Sequence, residues 1–339
     1  MKRILSMILA MSIMFSLVAC GTSPSSNSSA GKQSSINQDN LIILGGSSSA
    51  VWTIAAAQVG EMIKEIYPDK TINVEPGGAI ANYQSVNNGD AQIGLCITCT
   101  SWEAWNGASE TFKEPLQNVR SWGISWPMML HTVATDASGV ETMYQLVGKN
   151  VSMSFPGQTA YIINDLMLDI HGLNILSDVN LSVQEASDAM TSMGDGQLDV
   201  YSWNHSIPQA SVTELALNND IHFVEWGEGK LDEFVEAYPQ YAKMCVPAGT
   251  YTFNDEDYWT VGVVTDLIVH KDMDEEFVYQ MTKAYWEQQE RFLNIMPEAQ
   301  SYATLETCMK DLIVPLHPGA YRYYEEVGCD VPDAIKPID

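Results

Sequence analysis

Leu41, Ile42, Ile43 and Leu44 form an unbroken apolar run that stops at Gly45 and Gly46. From Val51 the spacing changes: Val51, Ile54, Ala55, Val59, Met62, Ile63 and Ile66 recur at three- and four-residue intervals until Pro68. The first pattern predicts a buried strand and the second a helix with one covered face. Residues 71–75, 93–97, 129–134, 151–154, 198–202 and 260–270 repeat the strand pattern. Ile162, Ile163, Leu166, Met167 and Ile170 repeat the helical one, with Gly172 as its stop. Strands alternating with helices predict an α/β fold with a mainly parallel sheet. Over 339 residues they predict two lobes rather than one.

Four segments share a local design in which an apolar strand runs into small or polar residues that open a helix. They are residues 44–50, 95–101, 154–159 and 201–206, and they place Gly46, Ser47, Ser48, Ile97, Thr98, Gln158, Thr159, Trp203 and Asn204 at strand ends. In an open α/β sheet, ligands bind at the carboxyl ends of strands. Helix starts there also offer free N–H groups and a partial positive charge, which suit a carboxylate. Taken singly, these Ser, Thr and Asn residues are equally ordinary helix caps.

The amino end changes the picture from a soluble domain to an exported one. Lys2 and Arg3 precede an apolar stretch over residues 4–18, and Leu17-Val18-Ala19-Cys20-Gly21 has the small-residue pattern of a lipoprotein cleavage site. Residues 1–19 are therefore expected to be a signal peptide, with Cys20 lipidated as the first mature residue. A lipid at Cys20 would hold the chain on the outer face of the cell membrane. The Ser-, Asn- and Gln-rich residues that follow, to residue 40, are expected to be a flexible tether. Apart from Cys20, Cys96, Cys99, Cys245, Cys308 and Cys329 are an odd set, so in a monomer at least one stays unpaired. The formal net charge of −27 repels phosphate backbones and argues against nucleic acid.

Several segments together resemble the TAXI-type solute receptors of TRAP transporters. The opening loop and helix start, Gly46-Ser47-Ser48-Ser49-Ala50-Val51-Trp52, is followed by Val74-Glu75-Pro76-Gly77-Gly78, Asn82 and Gly89-Asp90-Ala91. Trp102-Glu103-Ala104-Trp105-Asn106-Gly107 is similar to the family's Tyr-x-Ala-Tyr-Asn-Gly. Pro247-Ala248-Gly249-Thr250-Tyr251, Thr260-Val261-Gly262-Val263 and Pro315-Leu316-His317-Pro318-Gly319-Ala320 continue it, with Tyr323-Tyr324 and Gly328 at its end. The order and spacing from Leu41 to Gly328 carry the resemblance.

It implies a two-lobed periplasmic-binding-protein fold of the type II kind, hinged between the lobes. Lobe one would comprise residues 41–126 plus 247–339, with C-terminal helices bracing it, and lobe two residues 127–246. It implies a receptor rather than an enzyme: a monomer, without cofactor, that captures a small carboxylate or amino acid and delivers it to TRAP-type permease subunits. The family's ligands are mostly glutamate, glutamine or related dicarboxylates. Where the family often has Gln-Ser-Asp this chain has Ile97-Thr98-Cys99, and Trp52-Thr53-Ile54 replaces a Tyr-Tyr-Pro type run. With Trp52, Trp102 and Trp203 near the loops, these departures point to a less polar carboxylate or amino acid.

The expected pocket is Gly46, Ser47, Ser48 and Trp52 from the first loop, Ile97, Thr98 and Trp102 from the second, and Gln158, Thr159, Trp203 and Asn204 from the other lobe. Ser and Thr would donate to a carboxylate, and Trp rings would wall the apolar part. Arg120 and His131 are the cations expected to flank the passage between lobes, either as ligand contacts or as structural residues. Backbone N–H groups at Ser47, Ser48, Gln158 and Thr159 would hold an anion without them. Trp105, three residues from Trp102, suits core packing.

Bland readings are preferred for the remaining motifs. Cys96-Ile97-Thr98-Cys99 has redox spacing but lacks the second CxxC of a zinc site, so a buried pair or structural disulfide is expected. His317-Pro318-Gly319 reads as the start of a helix. The acidic runs at 254–257 and 272–276 read as solvated surface, without the spacing of a calcium loop. The competing function is a ligand-sensing lipoprotein without transport. A secreted enzyme on the same scaffold would need a nucleophile with a positioned base, or a metal cluster, and the sequence has neither pattern.

Overall fold

The computed structural model describes residues 36–46 and 51–338. The expected signal peptide, Cys20 and most of the tether lie outside the described residues, as do Ser47 and Ser48. In the amino-terminal part, β1 (Asn40–Leu44), α1 (Val51–Ile66), β2 (Thr71–Glu75), α2 (Ala79–Asn88), β3 (Ile93–Ile97) and α3 (Thr98–Asn106) alternate as the pattern predicts. α1 buries Ala55, Val59, Met62 and Ile63 of the stripe that predicted it, together with Ala56, while Val51 and Ile66 are half-buried and Ile54 is exposed. Fully burying Met62 or Ile63 stabilises the fold by roughly 1.5–3 kcal/mol each.

A 17-residue strand, β4 (Val119–Thr135), follows. Next come β5 (Asn150–Ser152), α4 (Thr159–Ile170), β6 (Asn180–Leu181), α5 (Ala186–Gly194), β7 (Val200–His205), α6 (Ala210–Asn218), β8 (Ile221–Phe223), α7 (Lys230–Ala237) and β9 (Ala242–Val246). The chain then returns along β10 (Tyr258–His270) and closes with α8 (Glu275–Glu287), α9 (Gln289–Leu293) and α10 (Pro318–Glu326).

Among the described residues all the strands join one sheet, in the order β2-β1-β3-β10-β4-β7-β5-β6, with β8 added to β4 and β9 to β10. The expectation of a mainly parallel sheet is corrected. The flanks are parallel, β2-β1-β3 on one side and β7-β5-β6 on the other. Every pairing of β4 or β10 with another strand is antiparallel. These two long strands run through both halves of the sheet and pair with each other from Val119↔His270 to Met129↔Gly262. Nearly every residue of β4 and β10 is buried, as befits strands covered on both faces. Register irregularities fall between Val264 and Asp266 and between Leu267 and Ile268, beside Pro127, which stands opposite Val264.

The backbones of β4 and β10 approach closely at Gly262, where a Cβ would lie 2.5 Å from the Met128 carbonyl oxygen and 2.6 Å from Met244 Sδ. Helix α10 starts as expected at His317-Pro318-Gly319. His317 caps it, its Nδ1 accepting from the Gly319 N–H at 3.2 Å while Nε2 donates to the Met273 carbonyl at 3.1 Å.

Candidate functional site

The strand register places the ends of the two parallel flanks together. β3 ends with Ile97 paired to Thr265 of β10. β7 ends with His205 paired to Met129 of β4, which itself pairs with Gly262 of β10. Because β3 is antiparallel to β10 and β7 runs the same way as β10, β3 and β7 point toward each other. Their carboxyl ends are three β10 residues apart, ~10 Å along the strand. The loops carrying Ile97 and Thr98 from one side, and Trp203 and Asn204 from the other, thus converge on the middle of the β4–β10 pair.

On the first side, Asn82 of α2 organises the strand ends. Its Nδ2 donates to the Gly45 and Leu95 carbonyls at 2.8 and 2.7 Å, and its Oδ1 accepts from the Gly78 N–H at 3.0 Å. One buried amide thereby ties the exit of β1, the start of α2 and β3 together. Gly46 is buried in this knot, its N–H donating to Thr53 Oγ1 at 3.2 Å and its carbonyl accepting from Gly77 N–H at 2.8 Å. Trp52 is half-buried on the first turn of α1 and packs against the core.

Ile97 and Thr98 are buried, and Thr98 Oγ1 accepts from the Val264 N–H at 3.2 Å. Val264 lies where the edge of β10 passes from β3 to β9, so this hydroxyl bridges the gap between those strands. Beside Thr98 a recess of ≈ 220 Å³ is lined by Pro239, Gln240, Tyr241, Lys310 and Asp311 among others. Asp311 Oδ2 is buried without a partner, and burial pushes its carboxyl up to about 6.

On the second side, Tyr201, Trp203 and His205 share one face of β7 and form a ladder. Tyr201 stacks on Trp203 at 6.1 Å and on His205 at 5.8 Å, and Phe155 meets Trp203 edge-on at 6.1 Å. Trp203 Nε1 donates to Ser152 Oγ at 3.4 Å. On the opposite face Ser202 bonds Thr132 and Asn164, each at 2.7 Å. The next residue on that face, Asn204, has its side-chain oxygen and nitrogen both buried without a hydrogen-bond partner. Ser154, at the end of the β5 segment, has left-handed backbone at φ 69° and a buried hydroxyl that also lacks a partner. A buried amide costs free energy until something pairs with it.

The capping alternative fails where it can be read. The residues before α3 and α4, Ile97 and Gln158, make no side-chain cap hydrogen bond. Gln158 is exposed and Thr159 half-buried at the start of α4. Trp102 is half-buried on α3, and Trp105 packs under Arg120, whose guanidinium lies 5.5 Å from its ring.

Arg120 does not flank the passage. It pairs with Val269, level with Ile93 at the amino end of β3, and so lies at the other end of that strand from Ile97. Its Nη1 donates to the Gln117 and Val119 carbonyls at 3.0 and 2.8 Å. His131 is near the passage but is not a cation. Its Nδ1 donates to the Met129 carbonyl at 2.9 Å, which leaves Nε2 to accept from the Tyr251 hydroxyl at 2.9 Å. Burial lowers its pKa to about 4, and burial with the neighbouring His131 lowers that of His205 to about 3. Both imidazoles are neutral near pH 7.

Cys96 and Cys99 are free buried thiols rather than a disulfide. Burial pushes the first well above the usual thiol range and the second up to about 12. A redox role needs a thiolate, which these surroundings suppress. The acidic run at 254–257 is partly structural: Asn254 is buried and its amide holds the Pro247 and Glu256 carbonyls. Among the described residues no group of three or more His, Cys, Asp or Glu is placed to hold a metal ion. No helix among them is long and apolar enough to cross a membrane.

Residues 43–328 match the profile of the NMT1-like family. The chain belongs to that family. Among solved structures, this NMT1-like chain is similar to the periplasmic aliphatic sulphonate binding protein SsuA from Escherichia coli. That match has 13% identity and a TM-score of 0.44, over 86% of this chain and 84% of that one. The alkanesulfonate-binding protein SsuA from Xanthomonas axonopodis pv. citri, bound to MOPS, matches at 12% identity and TM-score 0.41, over 89% and 87%. The substrate binding protein of an amino acid ABC transporter matches at 9% and 0.40, over 77% and 99%.

Sequence reasoning missed Asn82 as the knot of the first side, and it missed Tyr251 and Asp311. Asn82 and Tyr251 stand in segments that carry the TAXI resemblance, but nothing local marks either one's partners. Asp311 has no local signal.

Proposed function

We propose that this NMT1-like chain is an extracytoplasmic solute receptor that captures a small carboxylate or amino acid and hands it to the permease of a TRAP-type, TAXI-class transporter. The observation that carries the reading is the meeting of the carboxyl ends of β3 and β7 at the middle of the β4–β10 pair. Two parallel half-sheets joined only through such a pair form two lobes with a cleft between, here residues 41–126 plus 247–339 and residues 127–246. A ligand in that cleft touches both lobes and favours their closure.

Gly46, Ser47, Ser48, Trp52, Ile97, Thr98 and Trp102 would line one wall, and Gln158, Thr159, Trp203 and Asn204 the other. The N–H groups at the start of α4 would take the carboxylate, the Asn204 amide would supply a donor and an acceptor, and Trp203 would cover the apolar part. Lys310 and Asp311 in the recess beside Thr98 favour a ligand with both an ammonium and a carboxylate, that is, an amino acid. Export and lipid anchoring at Cys20 complete the reading, and the chain acts as a monomer without catalysis.

Thermal unfolding tests it on the chain without its first 33 residues, which leaves the compact unit Ser34–Asp339, refolded to strip bound solute. A panel of amino acids and mono- and dicarboxylates is added. The true ligand at a hundredfold excess over its Kd adds about 2.7 kcal/mol of stability. Asn204→Leu removes two unpartnered buried atoms, so that variant keeps or gains stability in the absence of ligand while losing the ligand-induced shift. No shift across the panel sinks the receptor reading, and a full shift in Asn204→Leu sinks this placement of the site. Uptake into vesicles carrying the permease is expected to follow an ion gradient; a requirement for ATP would overturn the TRAP assignment.

A further inference from the structure

Cys308 and Cys329 lie 21 positions apart in sequence and meet at one backbone carbonyl. Cys308 is fully buried in the turns after α9, and its Sγ donates to the Leu305 carbonyl at 3.5 Å. Cys329 follows Gly328, whose φ of +80° turns the chain out of α10, and its N–H donates to the Tyr324 carbonyl at 2.9 Å. That turn carries the half-buried Cys329 Sγ to the same Leu305 carbonyl, at 3.3 Å. We propose that Cys308 and Cys329 form a disulfide when the protein meets a disulfide oxidant, fastening the 302–312 segment to the end of α10.

The two thiols are unequal. Burial raises both, Cys308 the more, and a hydrogen bond from Cys308 offsets part of the rise at Cys329. The more accessible Cys329 therefore reacts first. Its thiolate attacks one sulfur of the oxidant disulfide, a new S–S bond forms, and the other half of the oxidant leaves as a thiolate. Cys308 then gives up its proton and attacks the Cys329 sulfur of the mixed disulfide, releasing the second half. Two protein thiols lose two electrons and two protons, and one oxidant disulfide becomes two thiols.

Among the described residues the other cysteines stand apart from this pair. Cys96 and Cys99 are buried, and Cys245 stands on β9 beside Asp257. The fastened segment carries Lys310 and Asp311, so the bridge also holds one wall of the recess beside Thr98.

The inference rests on the receptor reading only for the oxidising compartment, so the test supplies its own oxidant. The full chain is treated with glutathione disulfide, remaining thiols are alkylated, and peptides are mapped by mass spectrometry. The expected result is a peptide pair linked through Cys308 and Cys329, absent in Cys329→Ser. In Cys308→Ser it is replaced by a glutathione adduct on Cys329. An adduct on Cys329 of the unsubstituted chain without the linked pair, or a pair linking other cysteines, overturns the proposal. The same map on protein alkylated as cells are opened separates the two readings. A bridge that forms with glutathione disulfide but is missing in cells sinks the export reading and leaves the pair standing.

Discussion

Asp266 is fully buried on β10, opposite Ile124 of β4 and Cys96 of β3, and its Oδ1 accepts from the Ser121 hydroxyl at 2.6 Å. Burial pushes its carboxyl up to about 6 against the pull of that hydrogen bond. In the unfolded chain an Asp titrates near 3.9, so from about pH 4 to about 6 the unfolded chain releases a proton that the folded chain keeps. The contribution of Asp266 to stability therefore falls as pH rises through that window and stays low above it. His131 and His205, held neutral by burial, act with the opposite sign and lose stability as pH falls below about 6.5. Comparison with Asp266→Asn separates the two. Urea unfolding at several pH values should find the variant more stable than the parent above pH 6, by an amount on the order of 3 kcal/mol or less, with the gap closing toward pH 4. Parallel pH profiles would show that the carboxyl is not held protonated.

At the scale of elements, the close approach of β4 and β10 makes a sharper demand than helix propensity does. Gly262→Ala drives a methyl into the Met128 carbonyl of β4 and the buried side chain of Met244 on β9, and the carbonyl can yield only by moving the strand backbone. A loss of roughly 1–3 kcal/mol is expected in chemical unfolding. Gly78→Ala is the control, since its φ of −172° suits any residue and nothing lies within 4 Å of the added carbon. Equal effects at both positions would refute the close-contact argument. Of the amino-terminal elements, β1, α1, β2 and β3 were legible because each is an isolated period, α1 as a stripe ended by Pro68 and the strands as short β-rich runs, whereas α2 was not read. The start of β4 was not, because Arg120, Ser121, Gly123, Ser125 and Pro127 break the apolar run. Their burial follows from β10, some 140 residues later in the chain. β6 and β8 were missed because strands of two and three residues gain their order from partners rather than from their own pattern, and β9 because Lys243 breaks its apolar run. The candidate site divides in the same way. Strand ends such as Thr98 and Asn204 can be read locally, whereas the contact of His131 with Tyr251 spans 120 residues and Arg120 looks functional until its register is known.

For the whole molecule, two half-sheets sharing one central pair predict a change of shape with a single pivot. Small-angle scattering on the solute-free protein should give a larger radius of gyration than on the protein saturated with the ligand found in the panel. Asn204→Leu at the same ligand concentration should keep the larger value. Identical radii for bound and free protein would mean that the pair does not flex. Ion pairs such as Arg291 with Glu65 and Arg322 with Glu275 and Glu276 are partly exposed, so they steer little of this change.

The central position of β10 also governs when the protein can fold as it is made. β3 offers one of its edges to residues 265–269, and Thr98 waits for Val264, 166 residues further along. A ribosome that has completed residue 250 has therefore made every strand of the β2-β1-β3 flank and none of the strand that seals it. Contacts of such long range form slowly, so the open edge of β3 is expected to stay unsealed at least until β10 has been made. Until then a channel that passes only unfolded polypeptide would find this part of the chain still threadable.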